Sequence, residues 1–306
     1  MSVATVTHPG VALPVLEQLY ESQGLPEFDL PSELAEAYGG PLGFSEPRLY
    51  ANFVATLDGV VALPGQPHSS RLISGYSAAD RFVMGLLRAC ADAVLVGAET
   101  MRDSPDTLWT AEQAYPPAAA LFNELRRTRE QPPRPKVAIL SGHGTVNPRH
   151  PALENGALVL TSEPGAARLR RHLPGTTTVV LGPAPRLDPA AAVKALRSRG
   201  HQLILSEGGP NTFGTLLAAG LADELFLTTS PLVAGRTADS PRRALVEGIE
   251  LLPATTVGCE LLTLRRAGSQ LFSRYRVSKP EQRVASRPFV SNAHTSRRPR
   301  RTDTAS

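Results

Sequence analysis

Five short runs constrain the fold more than any other feature of the chain. They are Ala93-Val-Leu-Val96, Lys136-Val-Ala-Ile-Leu140, Ala157-Leu-Val-Leu160, Thr177-Thr-Val-Val-Leu181 and Gln202-Leu-Ile-Leu205, and nearly every position in them is apolar. A strand with one wet face alternates apolar and polar residues. A continuous apolar run of this length is covered on both faces, as in a parallel sheet layered by helices. Helical signals lie between the runs. Ser77 or Ser74 caps a helix over 78–91 with Phe82, Leu86 and Leu87 as its stripe. Asp188 caps another over 188–199, with Pro189 at its first position, and a third covers 212–219 before Gly220. Residues 224–230, 258–264 and 270–277 read as strands without intervening helices, the last two joined as a hairpin through Arg265-Arg-Ala-Gly268. The expected class is α/β, with a central mostly parallel sheet and antiparallel strands at the C-terminal end.

Charge and composition divide the 306 residues into three zones. Residues 1–45 form an N-terminal extension with a short amphipathic helix at 15–20 and a Pro/Gly-rich approach. Residues 46–278 are the folded domain. Residues 279–306 hold seven basic residues against Glu281 and Asp303, so the formal +4 of the chain belongs to this tail. Its Ser/Pro/Arg composition cannot bury enough surface to fold, and its arginines lack the interleaved aromatics of a base-stacking arm. A disordered tail is expected, and nucleic acid is not. No apolar stretch approaches the ~20 residues of a membrane span, and no secretory signal pattern opens the chain. Cys90 and Cys259 make neither a disulfide framework nor a zinc site and read as core residues. The scattered histidines lack metal spacing, so no metal is expected. A reduced, cytoplasmic setting fits.

Several strand ends carry polar motifs. Ser206-Glu-Gly-Gly-Pro-Asn-Thr-Phe-Gly214 joins a buried strand directly to a helix. Its glycines allow close backbone approach, and a helix N-terminus offers N–H groups to an anion. The alternative is a tight βα turn with a buried carboxylate. The motif is neither a Rossmann fingerprint nor a P-loop. Val96-Gly-Ala-Glu-Thr-Met-Arg-Asp-Ser-Pro105 follows another buried strand, as a loop at the sheet edge where ligands of open α/β sheets bind. Ala55-Thr-Leu-Asp-Gly59 ends a third strand, where Asp-Gly also suits a plain turn. Ser69-Ser-Arg-Leu-Ile-Ser-Gly75 with Arg88 on the next helix suggests an anion pocket.

In this order the motifs resemble the reductase of riboflavin biosynthesis, the dihydrofolate-reductase-like domain of bifunctional deaminase-reductases, in its stand-alone form. The resemblance covers about residues 48–277. It implies a three-layer fold, a homodimer, NADPH as cofactor, and reduction of the ribosyl group of a pyrimidine ribosylamine 5′-phosphate to ribityl. It assigns the cofactor to Ala55, Gly97, Thr100, Asp103, Ser141, Gly208 and the Gly209-Pro210-Asn211-Thr212-Phe213-Gly214-Thr215 segment, and the substrate to Ser70, Arg88 and Glu207. Opening the sugar needs proton transfer near the ring, for which Asp58 and Glu207 are the expected catalytic residues. The chain departs from the family pattern at Asn52, Leu72 and Glu99, and lacks a second phosphate-binding arginine after Leu108-Trp109. A reductase of another pterin- or pyrimidine-like substrate, or an inactive nucleotide-binding protein of the same fold, are the alternatives.

Overall fold

The computed structural model describes residues 5–8, 11–154, 156–172 and 177–282. A small hairpin of β1 (Thr5–His8) and β2 (Val11–Pro14) precedes β3 (Glu17–Glu21), α1 (Ser32–Tyr38) and β4 (Arg48–Ala55). Then come α2 (Ser69–Ile73), α3 (Ala78–Cys90), β5 (Ala93–Gly97), α4 (Ala98–Asp103), α5 (Ala111–Ala114), α6 (Ala119–Thr128) and β6 (Lys136–Leu140). The alternation continues with β7 (Leu158–Ser162), α7 (Glu163–His172), β8 (Thr177–Gly182), α8 (Pro189–Arg197), β9 (Leu203–Ser206), α9 (Pro210–Ala218) and β10 (Glu224–Thr229). Short β11 (Thr255–Thr256), long β12 (Cys259–Ala267) and β13 (Gln270–Val277), and short β14 (Glu281–Gln282) follow.

One ten-stranded sheet dominates, in the order β3-β12-β13-β10-β4-β9-β5-β6-β7-β8. Every pairing from β10 to β8 is parallel. Those of β10 with β13, β13 with β12 and β12 with β3 are antiparallel. From β5 the chain steps outward to β8, then returns through α8 to insert β9 between β5 and β4. That reversal opens a crevice at the C-terminal ends of β4, β9 and β5, where open α/β sheets bind ligands.

The five apolar runs are apolar because the sheet has a core on each face. Val94 and Val96 face one core with Phe82 and Leu86 of α3, while Leu95 between them faces the other with Phe213 of α9 and Val193 of α8. Leu203 and Leu205 against Ile204 repeat this alternation on β9. With ~1.5–3 kcal/mol for each buried aliphatic side chain, the two faces make the sheet edge a rigid platform.

The helix caps follow the sequence closely. Ser77 Oγ accepts from Asp80 N (3.2 Å), and Asp188 Oδ1 accepts from Ala190 N (2.9 Å). Gly220, at φ 63°, follows α9, and Gly268, at φ 59°, turns the β12–β13 hairpin. Other expectations are corrected. Residues 15–20 form no helix: 17–21 are β3, an edge strand paired with β12 whose side chains are mostly exposed. Leu13, Leu16, Leu34, Ala37, Tyr38, Leu42 and Phe44 of the N-terminal extension sit in the first core. α9 begins at Pro210 rather than Thr212, and 98–103 is helical rather than a loop. Cys90 is buried as expected, but Cys259 is exposed at the start of β12. At the other end, β14 pairs with β11, so Glu281 and Gln282 are part of the fold. The remainder of the expected tail, 283–306, lies outside the described residues. Among the described residues no helix is long and apolar enough to cross a membrane.

Candidate active site

A cleft of about 220 Å³ opens at the crevice between β4, β9 and β5. Its walls are Asn52, Phe53 and Val54 of β4, Ser69 to Arg71 of α2, Asp80, Arg81, Met84 and Arg88 of α3, and Glu99, Thr100 and Asp103 of α4. Glu207 to Pro210 form one end, and Arg243 reaches in from the segment after β10.

The β9–α9 junction is built around its two glycines, which have different reasons to be there. A Cβ on Gly208 would meet the Thr212 side chain at 2.6 Å, so Gly208 is required by packing. A Cβ on Gly209 would meet only the Thr100 hydroxyl, at 3.4 Å, in ordinary contact. Gly209 has φ −65° and ψ 179°, open to any residue, so the fold does not need a glycine there. Its amide donates to Thr100 Oγ1 (3.0 Å), which ties α4 to the junction. Beyond it, the first turn of α9 carries backbone N–H groups with no partner inside the helix, aimed out of its N-terminus. A bare backbone beside a helix N-terminus, opening on a cleft, fits the pyrophosphate of a dinucleotide.

Arg88 and Glu207 meet in a bidentate pair. Arg88 Nε and Nη2 donate to Glu207 Oε1 and Oε2 at 2.8 and 2.6 Å, and Nη1 donates to Thr110 O at 3.2 Å. The two side chains are 5% and 9% exposed. Both line the cleft, yet each is the other's main partner. Arg88, expected at the substrate phosphate, and Glu207, expected at the substrate, are thus bound to each other in this structure. Across the cleft, Arg243 Nη1 and Nη2 bind Glu99 at 3.0 and 2.7 Å. Arg243 also exchanges backbone hydrogen bonds with Val61 and Ala62.

Asp58 is not in the cleft. Thr56 Oγ1 donates to its Oδ1 (2.6 Å), and the amides of Ala234 and Gly235 donate to its two oxygens (2.9 and 2.7 Å). Those three bonds, the Thr56 hydroxyl first, lower its carboxyl to about 2. Asp58, expected to be catalytic, here clasps the β4 turn to the segment after β10 and does not line the cleft.

Of the residues expected to bind ligand, the cleft brings together Ser70, Arg88, Thr100, Asp103, Glu207, Gly208, Gly209 and Pro210. The others are absent from its lining. Ala55 is 7% exposed at the end of β4, where its carbonyl accepts from Ser230 N (2.8 Å). Ser141 is buried past β6, and its hydroxyl has no hydrogen-bond partner among the described residues. Gly97 leaves room for the Thr212 hydroxyl, so Gly97, Gly208 and Thr212 interlock two turns. Phe213 belongs to the second core, 5.1 Å from the Phe53 ring. Gly214 lets the Glu247 carbonyl approach, and Thr215 donates to Asn211 O (2.8 Å). Asn211 and Thr215 are exposed.

Sequence reasoning missed Asp80, Arg81 and Arg243. Burial raises Asp80 to about 6, and the nearby Glu207 charge adds to the rise against the Thr228 and Ser74 hydroxyls and Arg81. Burial followed by the Glu99 charge also raises Asp103. Arg81 Nε is buried without a hydrogen-bond partner among the described residues. No local motif marks Arg243. Ser77-x-x-Asp80 reads as a helix-capping box, which hides the cleft role of Asp80.

The pattern of the RibD C-terminal domain family matches residues 47–272. Among solved structures, the chain is similar to a pyrimidine reductase-like protein from Corynebacterium diphtheriae, with a TM-score of 0.59 and 25% identity over 76% of this chain and 92% of that one. Acinetobacter baumannii RibD gives 0.56 at 19% identity, over 76% of this chain and 59% of that one. A Thermotoga maritima diaminohydroxyphosphoribosylaminopyrimidine deaminase/5-amino-6-(5-phosphoribosylamino)uracil reductase gives 0.52 at 21% identity, over 76% and 56%. The chain thus spans less than two thirds of these last two. No curated protein sequence matches.

Proposed function

The chain belongs to the RibD C-terminal domain family, and from that premise we propose that it is an NADPH-dependent reductase of riboflavin biosynthesis. Its substrate in this reading is a pyrimidine ribosylamine 5′-phosphate, whose ribosyl group becomes ribityl. The observation that carries the reading is the bare Gly209 backbone at the start of α9, tied to Thr100 and facing the same cleft as the Arg88–Glu207 pair. Gly209 and the first turn of α9 would hold the pyrophosphate. When bound, a dihydronicotinamide would supply hydride to C1′ of the sugar.

The chain's own groups divide the remaining work. Glu207, held in one orientation by Arg88, accepts hydrogen bonds from the sugar hydroxyls. Ser70, Arg71 and Arg81, which line the cleft, suit the 5′-phosphate, because Arg88 is already engaged. A cytoplasmic homodimer is part of the same proposal, and analytical ultracentrifugation checks its stoichiometry.

The test is NADPH oxidation with 5-amino-6-ribosylaminouracil 5′-phosphate, its 2-amino counterpart and a dihydropterin. Turnover with either ribosylamine supports the reading. Turnover confined to the pterin moves the enzyme to another substrate class. Tight NADPH binding without turnover on any of them makes it a nucleotide-binding protein.

A further inference from the structure

Asp80 is the charged side chain of the cleft that the fold itself explains least. It stands in the first turn of α3, where its amide is capped by Ser77. In a capping box its carboxylate would turn back to the helix start. Here the Thr228 hydroxyl of β10 and the Ser74 hydroxyl after α2 act on it, favouring its charged form against its burial. Asp80 is 6% exposed yet lines the cleft together with Met84, Asn52 and Glu207. Buried carboxylates are ordinarily matched by a cation. The buried guanidinium of this cleft, Arg88, is held by both oxygens of Glu207. The charged groups acting on Asp80 are Glu207 from the β9–α9 junction and Arg81 beside it on α3.

We infer that Asp80 is the proton donor that opens the furanose ring of the substrate, a role that rests on reading the cleft as a ribosylamine reductase site. As the bond from C1′ to the ring oxygen breaks, that oxygen takes the Asp80 proton and becomes the 4′-hydroxyl. The lone pair of the exocyclic nitrogen forms the C1′=N bond of an iminium. Reduction then requires one hydride at C1′, for which the nicotinamide reductant is the source and is itself oxidised, and the C=N electron pair returns to nitrogen. The substrate gains one proton and one hydride, and Asp80 regains its proton from water in the open cleft. Glu207 is unsuited to this role because both its oxygens are engaged by Arg88. Asp58 is unsuited because it lies outside the cleft.

The titration of Asp80 supports this placement, since a carboxyl raised to about 6 by burial keeps a protonated fraction where free aspartate has almost none. Asp80→Asn keeps the shape and removes the transferable proton. Its kcat is expected to fall by ~10²-fold, with NADPH affinity within a few-fold of the parent. The parent kcat is expected to decline as pH rises above about 6, and the variant to lose that decline. Independently of activity, the cofactor-free parent should show a protonated-carboxyl infrared band that disappears between pH 5 and 7 (roughly one unit either side of the midpoint), and the variant should lack it. Parent-like kcat and pH profile in Asp80→Asn would overturn the role of Asp80 while leaving the substrate reading intact. Absence of parent turnover on the ribosylamines overturns the substrate reading and this role with it.

Discussion

Asp58 and Asp80 are both aspartates near strand ends of the same sheet, and they obey opposite rules. Asp58 lies at an open turn where a hydroxyl and two amides donate to it, and its carboxyl is lowered to about 2. Asp80 lies under the cleft, where burial and the charge of Glu207 outweigh two hydroxyls, and it is raised to about 6. The difference teaches what makes a carboxylate available for chemistry. A group whose acceptor sites are already filled by the chain holds structure. A buried group for which desolvation and a like charge outweigh the one cation beside it has room to take a proton.

The Arg88–Glu207 pair extends this rule to a charge fully matched by the protein, and breaking it has the largest expected effect. Arg88→Ala leaves the Glu207 carboxylate buried and alone, so stability should fall by about 3–5 kcal/mol, read by urea unfolding. Arg88→Met with Glu207→Leu should recover most of that loss. If Arg88→Ala instead unfolds like the parent and only raises KM, the pair serves the ligand without holding the fold.

The pH dependence of stability sharpens the contrast next. Asp80 is raised from 3.8 to about 6, so its contribution is fully present below about 4 and is lost as pH rises through about 6. Asp58 is lowered from 3.8 to about 2, so its contribution is present above about 4 and lost as pH falls through about 2. Thermal midpoints of Asp80→Asn should therefore lose the decline between pH 4 and 6 (the window of the Asp80 shift), and those of Asp58→Asn should not.

The smallest effect is on turnover in Asp58→Asn. It keeps the Thr56 contact within reach and touches nothing in the cleft, so kcat should stay within about three-fold of the parent. A loss near ~10²-fold would return Asp58 to the chemistry and break the contrast.

Legibility followed the range of the interaction. The runs at 93–96 and 202–205 announced a doubly covered sheet because each strand meets both cores within its own few residues. The caps at Ser77 and Asp188 are local and were equally plain. β3 was not, because Glu17-Gln-Leu-Tyr-Glu21 is an exposed edge strand whose order comes from pairing with β12 near the other end of the chain. The site shows the same split. The Glu-Gly-Gly-Pro junction was legible as a strand–glycine–helix motif, but which glycine the packing requires depends on Thr212 and Thr100. Asp58 attracted attention because Asp-Gly is a visible motif, and that visibility came from its work as a turn. Asp80 sits behind the helix cap at Ser77, and its place in the cleft wall depends on residues far away in sequence, Asn52 and Glu207.

The claim on which the rest depends is that the bare backbone at Gly209 receives the cofactor. Gly209→Val tests it directly, because its extended backbone accepts a side chain and the nearest atom to the new Cβ is the Thr100 hydroxyl at 3.4 Å. Fluorescence titration of NADPH against the parent and this variant is the measurement, with thermal midpoints recorded beside it. The account predicts an unchanged midpoint with affinity lowered by at least ~10²-fold, about 2.7 kcal/mol of lost binding. Parent-like NADPH affinity in a folded Gly209→Val protein would contradict it.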